Sequence, residues 1–218
     1  DTGVQQVITY CGAVATPIHD VQGSGNRSPM VGQTVTIEGV VVGDFQSGDG
    51  DRYGTNLGGY FVQELDERAD ADPLTSEGIY VADSTFDVRL GDLVSITGTV
   101  LETGSMTQIG RPSNVTVCAS DQELPSPAVI EFPLTSVAAL EAYEGMLVTF
   151  PQELVISEYF NYDRYGEIVL SLPGDDRGRV YQPTHDHSYD APAAQDAQAS
   201  MPLLRITLDD GIADQNPR

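Results

Sequence analysis

Apolar and polar residues alternate along most of this chain with a period of two, the signature of half-buried strands. Residues 33–45, QTVTIEGVVVGDF, alternate and then turn continuously apolar, which predicts a long strand with one strongly buried half. GGYFVQEL (58–65) and EGIYVAD (77–83) predict two shorter strands. GDLVSITGTVLET (91–103) predicts a second long one, and SNVTVCAS (113–120) closes the set. Gly, Asp, Asn and Pro separate these runs, as turn residues do. Gly39 and Gly98 interrupt the two long strands, as bulges or barrel corners do. Five such strands in about a hundred residues point to a small Greek-key barrel of OB type.

The pattern then changes. SDQELPSPAVIEFP (120–133) is rich in Pro and Ser and reads as a linker. LTSVAALEAYEGM (134–146) holds the best helix signal: Ser136 caps, Ala and Leu propagate, and Gly145 stops. Strand-like runs return in MLVTFPQELVISEYF (146–160), GEIVLSL (166–172), RVYQP (179–183) and LLRITLDDG (203–211). DHSYDAPAAQDAQASMP (186–202) reads as a loop. The expected fold is mainly all-β: two OB-like barrels and one short helix. Residues 1–29 form a segment packing on the first barrel, 30–120 that barrel, 121–135 a linker, 136–211 the second barrel and 212–218 an onward linker.

Charge narrows the functions open to such a fold. The 218 residues carry 33 acidic and 10 basic side chains, a formal −23, and every basic residue is Arg. A solvated acidic surface suits a salty, extracellular setting of the halophilic kind. It opposes nonspecific binding to phosphate backbones, so any nucleic-acid contact must be local, cation-bridged or carried by a neighbouring domain. No apolar run reaches the length of a membrane-spanning helix. Cys11 and Cys118 form neither a CxxC redox motif nor a four-ligand zinc set, and in an exported protein they pair with each other.

Three clusters offer chemistry. ELDERADADPLTSEG (64–78) strings carboxylates along one loop, where Asp66, Asp70 and Asp72 suit Ca²⁺, although the order is not that of an EF-hand; a merely solvated acidic loop fits as well. Asp49 and Asp51 stand in a neighbouring loop. His185 and His187 flank Asp186, an H-x-H pair without further zinc ligands at the usual spacing. SEYFNYDRYGEIVLS (157–171) gathers Tyr159, Phe160, Tyr162 and Tyr165 around Arg164. Rings beside a guanidinium stack nucleobases or sugars, or else pack over a barrel end. Tyr60 and Phe61, with Phe45 and Tyr53, make a matching set in the first barrel. No nucleophile elbow, zinc-protease helix or phosphate-binding glycine loop is present, so no catalytic residue is assigned.

The ordered series TPIHDVQGSGNRSPMVGQTVTIEGVVVGDFQ, LGGYFVQE, SEGIYV, GDLVSITGTV and TQIG resembles the YhcR-type OB-fold domain of large secreted bacterial endonucleases of the ExeM/NucH type. The likeness continues through LEAYEGMLVTFPQELVISE, DRYGEIVLS, RVYQPT and LLRITLDDG, over nearly the whole chain. In that family a metal-dependent endonuclease/exonuclease/phosphatase domain follows. The resemblance therefore implies a non-catalytic N-terminal region of a secreted nuclease whose own activity uses Mg²⁺ or Mn²⁺. Its partners would be DNA and the C-terminal nuclease domain. The competing roles are a docking module that never touches substrate and a carbohydrate-binding OB module.

Overall fold

The computed structural model describes residues 11, 12, 14–46, 57–174, 178–212 and 215. Asp49, Asp51 and Tyr53 lie outside them. The chain divides into two compact units: Asp1–Ser47 with Gly58–Ala128 and Glu141–Leu147, and Gly48–Leu57 with Val129–Leu140 and Val148–Arg218.

The first unit holds α1 (Ile18–Gln22) and five strands: β1 (Thr34–Phe45), β2 (Gly59–Gln63), β3 (Gly78–Ala82), β4 (Leu93–Thr103) and β5 (Met106–Ala119). They close into a barrel in the order β1-β2-β3-β5-β4, with β3 and β5 parallel and every other pair antiparallel. Closure removes the open edges that would otherwise invite pairing with other chains. Inward residues alternate along each strand: Val35, Ile37, Val41, Tyr60, Val62, Ile79, Val81, Val94, Ile96, Val100 and Ile109 fill the core, and Ile18 and Val21 of α1 join them.

The two strand glycines differ in role. Gly98 sits in a register shift between Thr97 and Thr99, as expected of a bulge. Gly39 stays in register; a Cβ there would lie 2.6 Å from the carbonyl oxygen of Gln63, so close approach of β2 demands glycine. A bulge in β1 falls instead between Val41 and Gly43.

The 121–135 segment is less of a linker than its composition predicts. Ser126 is fastened to the barrel loop by Asp66, and β6 (Ala128–Val129) pairs with β7 (Val148–Thr149). The helix expected after it forms over Val137–Tyr143 as a 3-10 helix, with Ser136 Oγ accepting from the Ala139 amide and Gly145 leaving it at positive φ.

The second unit contains β8 (Val155–Glu158), α2 (Tyr162–Tyr165), β9 (Ile168–Ser171), α3 (Pro192–Ser200) and β10 (Arg205–Leu208). Its strands form an antiparallel three-stranded sheet, β10-β9-β8, and no closed barrel exists among its described residues. Three strands are too few to close on themselves. RVYQP forms no strand; Pro183–His185 is a 3-10 turn. The stretch read as a loop contains α3, started by Pro192 at its first turn and propagated by alanines. No described helix is long and apolar enough to cross a membrane.

Candidate functional sites

Cys11 and Cys118 are bonded, with Cα atoms 5.5 Å apart and a sequence separation of 107. Beside Cys11 begins a chain of buried charge in the first unit. The Cys11 amide donates to Glu38 Oε1 at 3.3 Å, and Arg68 Nη1 lies 3.3 Å from Glu38 Oε2. Arg68 Nε is 2.8 Å from Glu64 Oε1, while Glu64 Oε2 accepts the Ile18 amide at 2.6 Å. The same helix presents His19, whose Nδ1 lies 3.0 Å from Glu77 Oε2; Asp70 stands 4.0 Å from Nε2. This network fixes α1 to the barrel by satisfying a backbone donor that burial would otherwise strand.

Glu38, Glu64 and Glu77 are all buried, with Arg68 and His19 as their cationic neighbours. Burial pushes Glu64 up to about 7; Glu77 adds to the rise, while the Ile18 amide and Arg68 oppose it. For His19, burial disfavours the charged ring, but the hydrogen bond and charge of Glu77, with Asp70 and Glu64, outweigh it and its pKa is raised. His19, Glu64 and Glu77 bring one ligand atom each within 4.8 Å of one another, a nitrogen–oxygen donor set of the kind divalent metals accept. Sequence reading missed this group because His19 stands 58 residues from Glu77.

The three aspartates named as calcium ligands accept hydrogen bonds from neighbouring groups. Asp66 accepts from the amide and hydroxyl of Ser126. Asp70 Oδ1 accepts from the Asp72 amide and the Thr75 hydroxyl, and Asp72 Oδ1 from the Leu74 amide. These bonds shape the loop, and the three do not converge as one ligand group among the described residues.

Tyr60 corrects the aromatic reading of the barrel. It is 0 % exposed and sits in the core, so neither ring face is open to a ligand. Phe61, its outward neighbour, packs edge-on to Phe45 at 5.7 Å and tilted against Tyr80 at 5.1 Å. Phe45, Phe61 and Tyr80 form a ladder across β1, β2 and β3, with Phe61 directly opposite Gly43 and Tyr80.

In the second unit the aromatic stretch is not a continuous strand. β8 ends at Glu158, and α2 turns the chain before β9, with Gly166 in the left-handed conformation as its stop. The rings stand outward: Tyr159 is 67 % exposed, Phe160 85 % and Tyr162 59 %. The Arg164 guanidinium lies 4.9 Å from the Tyr165 ring centre and donates to Gln215 Oε1 at 3.1 and 3.2 Å.

Next to this turn, within the same unit, lies a cavity of about 510 Å³. Arg179 lies over Tyr181 at 4.7 Å, and Tyr181 stacks on His185 at 4.9 Å. Phe160 and Arg205 also line it, the latter 3.6 Å from Glu158. His185, one member of the H-x-H pair, is the residue that stacks on the Tyr181 ring.

Compared with known proteins, the chain matches no family model and no curated protein.

Proposed function

We propose that this chain is a non-catalytic, nucleic-acid-binding region of a secreted DNA endonuclease, acting beside a nuclease domain with its own metal ions. The observation that carries the reading is the α2 turn. Three large rings, Tyr159, Phe160 and Tyr162, project into solvent at this turn or just before it, close to Arg164 in sequence. Exposing Phe160 and two tyrosines forgoes burial worth about 1.5–3 kcal/mol for a large apolar side chain, a cost that a stacking surface recovers when it is occupied. Every nucleobase has a stackable face, so such a surface accepts single strands without reading sequence. The −23 charge assigns most of the affinity to stacking rather than to phosphate neutralisation. The resemblance to ExeM/NucH-type nucleases and the Cys11–Cys118 bond agree with an extracellular setting.

The test is fluorescence anisotropy with a labelled single-stranded oligonucleotide. Wild type should bind saturably with a shallow salt dependence, and Tyr162→Ala should weaken binding by several-fold to a hundredfold, since a stacked base contributes about 1–3 kcal/mol. Its melting temperature should stay within a degree or two of wild type, because Tyr162 is exposed. Tyr60→Ala should do the reverse and destabilise the barrel by about 3–5 kcal/mol. A wild-type protein with no saturable binding overturns the reading in favour of a docking role.

A further inference from the structure

We infer that the cavity lined by Arg179, Tyr181, His185, Phe160 and Arg205 is a subsite for one phosphate-bearing nucleotide. The inference rests on the nucleic-acid reading above and narrows it to a single unit of the ligand. Its size, about 510 Å³, lies in the range of small-molecule sites.

The lining runs against the charge of the whole molecule. The protein carries −23, yet the described residues lining this cavity include two of its ten arginines and one carboxylate, Glu158, a balance of one positive charge among them before His185 is considered. Among the described residues neither arginine is caught in a tight ion pair. Arg205 approaches Glu158 only to 3.6 Å, and Arg179 reaches the Ser157 carbonyl at 3.5 Å. Both retain N–H groups able to fork onto phosphate oxygens, which guanidinium geometry suits.

A flat wall supplies the other half of a nucleotide site. Arg179, Tyr181 and His185 are stacked face on face, and Phe160, 85 % exposed, lines the same cavity from the aromatic turn. Planar groups on two elements, with two guanidiniums beside them, fit a base and its adjoining phosphate together. The fold reaches this arrangement through the β8 irregularity at Ser157, whose hydroxyl bonds that of Ser171 on β9, both residues lining the cavity. Two sources share this chemistry, a free nucleoside monophosphate and the terminal nucleotide of a strand.

Calorimetric titration with deoxyadenosine monophosphate, on the whole 218-residue chain, tests the site. Binding should be saturable, and at least tenfold weaker in Arg205→Gln and in Arg179→Gln. Glu158→Gln, which removes the one carboxylate among the described lining residues, should tighten it severalfold, a gain that misfolding cannot imitate. Deoxyadenosine without phosphate should bind at least tenfold less well. Equal binding of inorganic phosphate or of glucuronate would overturn the nucleotide assignment, as would no binding of the monophosphate up to millimolar concentration by folded protein. A 5′-phosphorylated oligonucleotide competing with the monophosphate identifies strand ends as the source; failure to compete identifies the free nucleotide. A closed single-stranded circle, which has no ends, separates the two readings. If the circle binds and the monophosphate does not, the subsite fails while the nucleic-acid function stands. If the monophosphate binds and the circle does not, the wider function fails and the subsite stands.

Discussion

Glu64 is the residue whose ionisation most directly opposes folding. It is buried among Glu38, Glu77 and Arg68, and burial holds its carboxyl at about 7. In the unfolded chain the same group titrates near 4.5. Below that value both states are protonated; as pH rises toward 7 the unfolded state loses its proton and the folded state does not, so stability falls across that window. A shift of this size corresponds to a contribution on the order of 3 kcal/mol. His19 works in the same direction: its folded pKa is raised, so its contribution is complete below about 6.5 and is lost as pH rises through the folded value. Glu144, raised to about 7 chiefly by burial, adds to the slope. Stability measured by urea unfolding should therefore decrease from pH 5 to pH 8. Glu64→Gln, neutral throughout, should flatten that dependence while Arg68 keeps Glu38; a slope equal to wild type would refute the assignment.

Among the elements, the β8–α2–β9 connection decides whether the aromatic rings face solvent. α2 is one turn long and has no side-chain cap, so its geometry depends on Gly166 at φ 75°. A Cβ there meets the Asp210 carboxylate, which can swing aside, but the left-handed backbone cannot be relieved. Gly166→Ala should cost about 1–2 kcal/mol, read in urea unfolding. It should also weaken oligonucleotide binding, because Tyr162 and Arg164 would lose their common platform. Unchanged binding in a folded Gly166→Ala protein would show that the rings act independently of the turn.

For the molecule as a whole, one covalent link constrains most of the first unit. The Cys11–Cys118 bond closes a loop of over a hundred residues, and a closure of that size stabilises by about 4–5 kcal/mol in the chain-entropy account. With a net charge of −23, self-repulsion in the compact state makes that constraint more consequential at low salt. Cys11→Ser with Cys118→Ser should lower the melting temperature by roughly 10 °C or more, at about 2–4 °C per kcal/mol for a chain of this size. Part of the loss should be recovered in molar NaCl. Identical melting of the reduced and oxidised proteins would remove the bond from the stability account.

The strands of the first barrel were legible in the sequence because alternation is a relation between neighbours, and neighbours are what a sequence records. The cysteine pair was legible too, since two isolated thiols in a chain have one obvious partner each. α3 had its signal, Pro192 followed by alanines, but an Ala, Asp and Ser composition hid it. Alternation placed Tyr60 and Phe61 on opposite faces; only the register of β2 against β1 and β3 decided that Tyr60 points inward. Likewise the second unit repeats strand-like runs, but its strands are short and pair as an open sheet, which pattern alone does not distinguish from a barrel. His19 meets Glu64 and Glu77 through the docking of α1, and Arg179 and Arg205 share a cavity across 25 intervening residues. Such meetings carry no local signature, because they are set by chain closure and packing, which act between residues the sequence keeps apart.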